Sequence, residues 1–128
     1  MGKRVLLIED EPNIIEAISF ILSRDGWEVD THANGIDAVD KVKAREPDLV
    51  ILDVMLPGRS GFDILRELRD HPPTANLPVL MLTARGQTKD KETAAALGVS
   101  RFMTKPFSNA EVLESVRVLA SGVEAQHG

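Results

Sequence analysis

The chain is predicted to be an α/β protein, a parallel five-stranded sheet with helices on both faces. Three observations predict it. Short apolar runs alternate with longer stretches of helical periodicity. Three of the runs, Val5-Leu6-Leu7-Ile8, Leu49-Val50-Ile51-Leu52 and Val79-Leu80-Met81-Leu82, are apolar without interruption, as strands buried on both faces are. Each run ends abruptly in a polar residue, Glu9-Asp10, Asp53 and Thr83 respectively.

The remaining elements follow in order. Ile14, Ile15, Ile18, Ile21 and Leu22 share one helical face, and Pro12 suits that helix's first turn. Trp27-Glu28-Val29-Asp30-Thr31 alternates and predicts a strand at or near an edge. Ile36, Val39 and Val42 form a second helical stripe after Asn34-Gly35. Ile64, Leu65 and Leu68 form a third after Gly61. A fourth helix ends over residues 94–97, with Gly98 as its left-handed stop. Residues 99–104 read as a fifth, less apolar strand. The last helix opens with the capping box Ser108-Asn109-Ala110-Glu111; Phe107 can staple onto Val112, and Val112, Val116 and Leu119 are its buried stripe. This gives one domain over residues 1–121 and a disordered tail over 122–128.

Composition narrows the function. The 128 residues suit a single domain, and 43% hydrophobic content supports one core. Fifteen basic against twenty acidic residues give a net charge of −5, with no Lys/Arg run. That argues against direct nucleic-acid binding, which wants a basic face. The absence of cysteine excludes disulfides, thiol catalysis and zinc-thiolate sites, and suits the cytoplasm. No apolar run approaches the roughly 20 residues of a membrane span. Met1-Gly2-Lys3-Arg4-Val5-Leu6 has the pattern of neither a signal peptide nor a myristoylation signal. His32, His71 and His127 lack metal-ligand spacing and read as surface residues, and Lys89-Asp90-Lys91-Glu92 reads as a solvated helical face.

In an open α/β sheet the site lies outside the carboxyl ends of the strands. Here those ends carry Glu9, Asp10, Asp53, Thr83 and Lys105. Three crowded carboxylates repel one another unless a cation joins them. A hard divalent ion with oxygen ligands is the simple remedy, and Mg2+ suits a site with few protein oxygens. Taken singly, Asp53 reads as a turn cap, Glu9-Asp10 as a helix N-terminus, Thr83 as an ordinary strand residue and Lys105 as a solvated lysine. The joint pattern is what signals.

Glu9-Asp10, Asp53, Thr83-Ala84 and Lys105-Pro106-Phe107 resemble, in order and spacing, the receiver domains of two-component response regulators. The resemblance spans residues 4 to about 120. It implies a flavodoxin-like doubly wound (βα)5 fold with strand order 2-1-3-4-5. It implies Asp53 as phosphoacceptor and a Mg2+ cofactor held by Asp10, Asp53 and the backbone carbonyl of Met55, with Glu9 acting through water. Lys105 would neutralise phosphoryl oxygens, and Thr83 would hydrogen-bond one of them. Ala84, Met55 and Arg85 would line donor access. Thr83 and Phe102 would form the switch, Phe102 being equally well plain core, and the Lys105–Pro106 bond would be cis.

The implied function is Mg-dependent phosphoryl transfer from a histidine kinase or histidine phosphotransfer protein to Asp53. It would switch a protein-binding surface on helix 4, strand 5 and helix 5. The chain would be an enzyme only in catalysing its own phosphorylation and dephosphorylation. Its output would be a downstream protein target or an output domain absent from these residues.

Other classes fit less well. A haloacid-dehalogenase-type phosphohydrolase needs an acid where Met55 stands. A flavodoxin-type cofactor carrier needs a Ser/Thr/Gly-rich loop where Glu9-Asp10-Glu11-Pro12 stands. A phosphorylation-independent scaffold would have lost an acceptor, metal acid or lysine, and all are present. Receivers of winged-helix transcription factors, which the middle of the chain resembles, pair through charges around strand five. They carry acids where this chain has Ser100 and Arg101, and a base where it has Ser115, although Arg117 matches. A monomer or weak dimer is therefore expected.

Overall fold

The computed structural model describes residues 3–84 and 88–127. Five strands, β1 (Lys3–Ile8), β2 (Trp27–His32), β3 (Leu49–Asp53), β4 (Val79–Thr83) and β5 (Arg101–Thr104), form one parallel sheet in the order β2-β1-β3-β4-β5. Between and after them run α1 (Pro12–Arg24), α2 (Ala38–Arg45), α3 (Gly61–Asp70), α4 (Thr88–Ala96) and α5 (Asn109–His127), with a short 3-10 turn at Pro72–Thr74. This is the flavodoxin-like order the sequence implies.

The strand runs are apolar throughout because both faces are covered. Alternate residues Leu6, Ile8, Val50, Leu52, Val79 and Met81 pack with Val39, Val42, Ile64, Leu65, Leu68 and Ala94 from α2, α3 and α4. The intervening residues Val5, Leu7, Leu49, Ile51, Leu80 and Leu82 pack with Ile18, Leu22, Val112 and Val116 from α1 and α5. Each fully buried aliphatic side chain contributes roughly 1.5–3 kcal/mol. The central strands β1, β3 and β4 are thereby fixed in register, and their carboxyl ends finish at one edge.

The helix signals resolve as expected at both ends of the chain's second half. Gly98 adopts φ +87° after α4. Ser108 Oγ accepts the Glu111 amide at 3.2 Å, and Glu111 Oε1 accepts the Ser108 amide at 2.8 Å. Phe107 packs against the cluster that contains Val112.

Four local readings change. Ile36 precedes α2 and is 67% exposed rather than part of its buried stripe. His32 and His71 are half-buried, and His32 Nε2 lies 2.6 Å from Asp37 Oδ1. The fifth strand begins at Arg101, later than residue 99. α5 continues to His127, beyond residue 121; Glu124, Ala125 and Gln126 are good helix formers.

Candidate functional site

Asp53 is the last residue of β3, and the burial of that whole strand leaves the residue 2% exposed. The amide of Met55, two residues on, donates to Asp53 Oδ1 at 3.4 Å. The chain then turns through Gly58 (φ +84°) and enters α3 at Gly61, whose amide donates to the Val54 carbonyl at 2.9 Å. Ser60 caps α3, its side chain accepting the Phe62 amide at 3.1 Å. These local bonds seat the loop that carries Met55 directly beyond Asp53.

Glu9 follows β1 and is fully buried. Its amide donates to the His32 carbonyl at 3.0 Å, extending the β1–β2 ladder by one step. Its Oε2 accepts the amides of Asp10 and Glu11, both at 3.1 Å. Its Oε1 is buried without a hydrogen bond, although it stands in an ion pair 3.0 Å from Lys105 Nζ. Asp10 is exposed. Glu9, Asp10 and Asp53 each offer a carboxylate oxygen, and these oxygens lie within 4.8 Å of one another.

Lys105 arrives from the far side. It follows β5, its amide donates to the Thr83 carbonyl at 2.7 Å, and its bond to Pro106 is cis. Its side chain is only 11% exposed, and Nζ lies 3.5 Å from Asp53 Oδ1. Nζ also lies 2.8 Å from Glu11 Oε1. Thr83 ends β4 and is buried, one residue beyond Leu82, the β4 residue in register with Asp53. Phe102 is half-buried and packs against the core between the sheet, α2, α3 and α4. Ala84 and Met55 are exposed at the same edge. Arg85 lies outside the described residues.

The electrostatics follow from this crowding. Burial, and then the neighbouring Glu9 charge, push the Asp53 carboxyl up to about 7; the Lys105 ammonium and the Met55 amide pull the other way. Burial disfavours the Lys105 ammonium, but its hydrogen bond to Glu11, its ion pair with Glu9 and the charge of Asp53 outweigh it and raise its pKa. One buried cation thus faces several carboxylates. The donor set is all oxygen, Glu9 Oε1 has no hydrogen bond, and ionising Asp53 is costly. These features fit a hard divalent cation.

The structure therefore gathers Glu9, Asp10, Asp53, Met55, Thr83, Ala84 and Lys105 at the carboxyl edge of the sheet. Sequence reasoning missed Glu11 as a partner of Lys105. The only signal for it was a third acid in the run Glu9-Asp10-Glu11, at the N-cap of α1. Among the described residues no helix is long and apolar enough to cross a membrane.

Comparison with known proteins agrees with the geometry. Residues 5–117 match the family model described as the response regulator receiver domain. The chain is 39% identical over 119 residues to the phosphate regulon transcriptional regulatory protein PhoB of Rhizobium meliloti (strain 1021), an alignment covering 93% of this chain and 52% of that protein. The chain thus spans about half the length of that relative. Its fold superposes on the receiver domain of the sensor histidine kinase PA1611 from Pseudomonas aeruginosa PAO1, solved with a magnesium ion coordinated in the active site cleft. The TM-score is 0.84 at 30% identity, covering 94% of this chain and all of that one. It also superposes on the chemotaxis response regulator CheY4 of Vibrio cholerae, with TM-score 0.87 at 28% identity, covering 93% and 99%. Buried Asp53, its acidic neighbours and Lys105 stand on the fold these proteins share, and the chain belongs to the response regulator receiver domain family.

Proposed function

We propose that the chain is a phosphorylation-controlled signalling module in which Asp53 accepts a phosphoryl group. The observation that carries this reading is the placement of Asp53: buried, at the end of a central strand, with Lys105 Nζ 3.5 Å from its Oδ1 and the Glu9 and Asp10 carboxylates within 4.8 Å. The donor is a phospho-histidine of a histidine kinase or histidine phosphotransfer protein. An Asp53 carboxylate oxygen attacks phosphorus, the P–N bond breaks, and the imidazole leaves with the electron pair and takes up a proton.

The chain's own groups position and compensate. Lys105 carries a compact positive charge to the phosphoryl oxygens. The Thr83 hydroxyl, beside the acceptor at the end of β4, donates to one of them. Asp10, Asp53 and the Met55 carbonyl, with Glu9 through water, are the groups that would hold Mg2+. When bound, the ion supplies positive charge between these carboxylates and the incoming phosphoryl oxygens. The module is not an enzyme towards other substrates; it promotes only its own phosphorylation and dephosphorylation.

The new charge is read out by packing. Movement of Thr83 towards it opens space for Phe102, and the surface of α4, β5 and α5 changes. That surface engages a downstream protein or an output domain in the cytoplasm. A monomer or weak dimer is supported by basic side chains already engaged within the chain: Arg101 Nε donates to the Ser115 hydroxyl at 3.1 Å, and Arg117 pairs with Asp25 at 2.5 Å.

The test is phosphorylation by acetyl phosphate with and without Mg2+, followed by intact-mass spectrometry of wild type and Asp53→Asn. One added phosphoryl group, dependent on Mg2+ and absent in the variant, is the expected result. No adduct, together with no binding of beryllofluoride and Mg2+, would leave a phosphorylation-independent scaffold as the reading.

A further inference from the structure

Glu11 is the N-cap residue of α1, yet its side chain makes no capping bond to that helix. Its Oε1 instead reaches Lys105 Nζ at 2.8 Å, across 94 positions of sequence. Of the three carboxylates around Nζ, Glu11 is nearest; Glu9 follows at 3.0 Å and Asp53 is farthest at 3.5 Å. An ammonium has three protons to donate and no fixed plane, so it goes where acceptors are best placed. Glu9 is immobile, because it is fully buried and its other oxygen holds two amides. Glu11 is different: its side chain is 57% exposed and can swing into water when a stronger anion claims the lysine.

We propose that Glu11 is a positioning residue that competes with the phosphoryl group for Lys105. In the unphosphorylated chain it draws the ammonium towards the rim of the site. The phosphoryl group must displace it, so Glu11 slows phosphorylation and weakens the hold on the phosphoryl oxygens. This rests on the reading of Asp53 as phosphoacceptor. Because an exposed ion pair is weak, the effect is a modulation of about three-fold, not an on/off gate.

Two substitutions separate contact from charge. Glu11→Gln removes the charge. Glu11→Asp keeps it but is one methylene shorter, and aspartate at an N-cap favours bonding its own helix. Neither side chain matches the reach and charge of the wild-type contact. Phosphorylation by acetyl phosphate and the half-saturating concentration of beryllofluoride would be measured, both with Mg2+. The Lys105 side-chain NMR resonance would be followed without either anion. The expected result is that both variants shift the Lys105 signal, bind beryllofluoride about three-fold more tightly and phosphorylate about three-fold faster than wild type.

If Glu11→Asp matches wild type while Glu11→Gln is faster, the effect is long-range charge and the proposal is overturned. If both variants match wild type, Glu11 does not compete, and the proposal fails while the acceptor reading stands. If wild type itself takes no phosphoryl group, both fail together.

Discussion

The amide of Lys105 donates a 2.7 Å hydrogen bond to the carbonyl of Thr83. This bond continues the β4–β5 ladder one step past the Thr83–Thr104 register pair. It locks together the backbones of the two residues that would grip a phosphoryl group from one side, while β3 presents Asp53 from the other. The edge strand β5, though less apolar than its neighbours, is held at the site by this step.

Removing the Lys105 ammonium should destabilise the metal-free chain. Lys105→Met leaves the fully buried Glu9 without its cation. Loss of one partner of a buried pair costs roughly 3 kcal/mol. Urea denaturation in chelator should show that loss, and added Mg2+ should recover part of it. An unchanged unfolding midpoint in chelator would show that Glu9 does not depend on Lys105.

Asp53 should make stability depend on pH. Its folded pKa is raised to about 7, so the folded state binds this proton more tightly than the unfolded chain does. Stability from this group is therefore full below the ordinary carboxylate range and is lost as pH rises towards and through 7. Asp53→Asn removes that loss. In chelator, the melting temperature of the variant minus that of wild type should be near zero at pH 4. It should grow to at least about 4 °C at pH 8. A difference that stays flat across this range would contradict the assigned burial cost.

Divalent ions should relieve the same strain. Mg2+ should raise the wild-type melting temperature with the logarithm of its concentration above the dissociation constant, by the equivalent of about 2.7 kcal/mol at one hundred times that constant. Asp10→Asn and Asp53→Asn should each weaken the response. A response as large as that of wild type in both variants would place the ion elsewhere.

Gly61 should be intolerant of a side chain. A Cβ there would lie 2.9 Å from Val54 Cα and 3.0 Å from the Asp53 carbonyl carbon, both backbone atoms that cannot swing aside. Gly61→Ala should cost about 2 kcal/mol and slow Asp53 phosphorylation by shifting the end of β3. Ser108→Ala is the contrast. Loss of its cap should cost about 1 kcal/mol, leaving the phosphorylation rate near wild type. Equal rates in both variants would mean that the β3–α3 junction does not position the acceptor.

The sequence by itself determined the strands, most of the helical faces and the edge at which the site forms. Val5 to Ile8 and Leu49 to Leu52 are apolar at every position because the faces of a doubly covered sheet leave nowhere for a polar residue. The first polar residue after each run therefore marks the strand's end, which is why Asp53 and Glu9 were legible as site residues. The capping box at Ser108 was legible for a similar reason: its partners are three residues apart. The tertiary structure decided what depends on distant loops meeting. Ile36 lies outside its helix because α2 starts only at Ala38, so an apolar residue at helical spacing became exposed. His32 gained Asp37 and lent its carbonyl to Glu9 through the β1–β2 register. Glu11 met Lys105 because α1 and α5 pack on the same face of the sheet, which brings the start of α1 and the loop before α5 to one edge. Periodicity records which face is buried, since burial repeats along the chain. It carries no record of a single ion pair closed across 94 positions, whose formation depends on side-chain reach and on which loops the crossovers bring together.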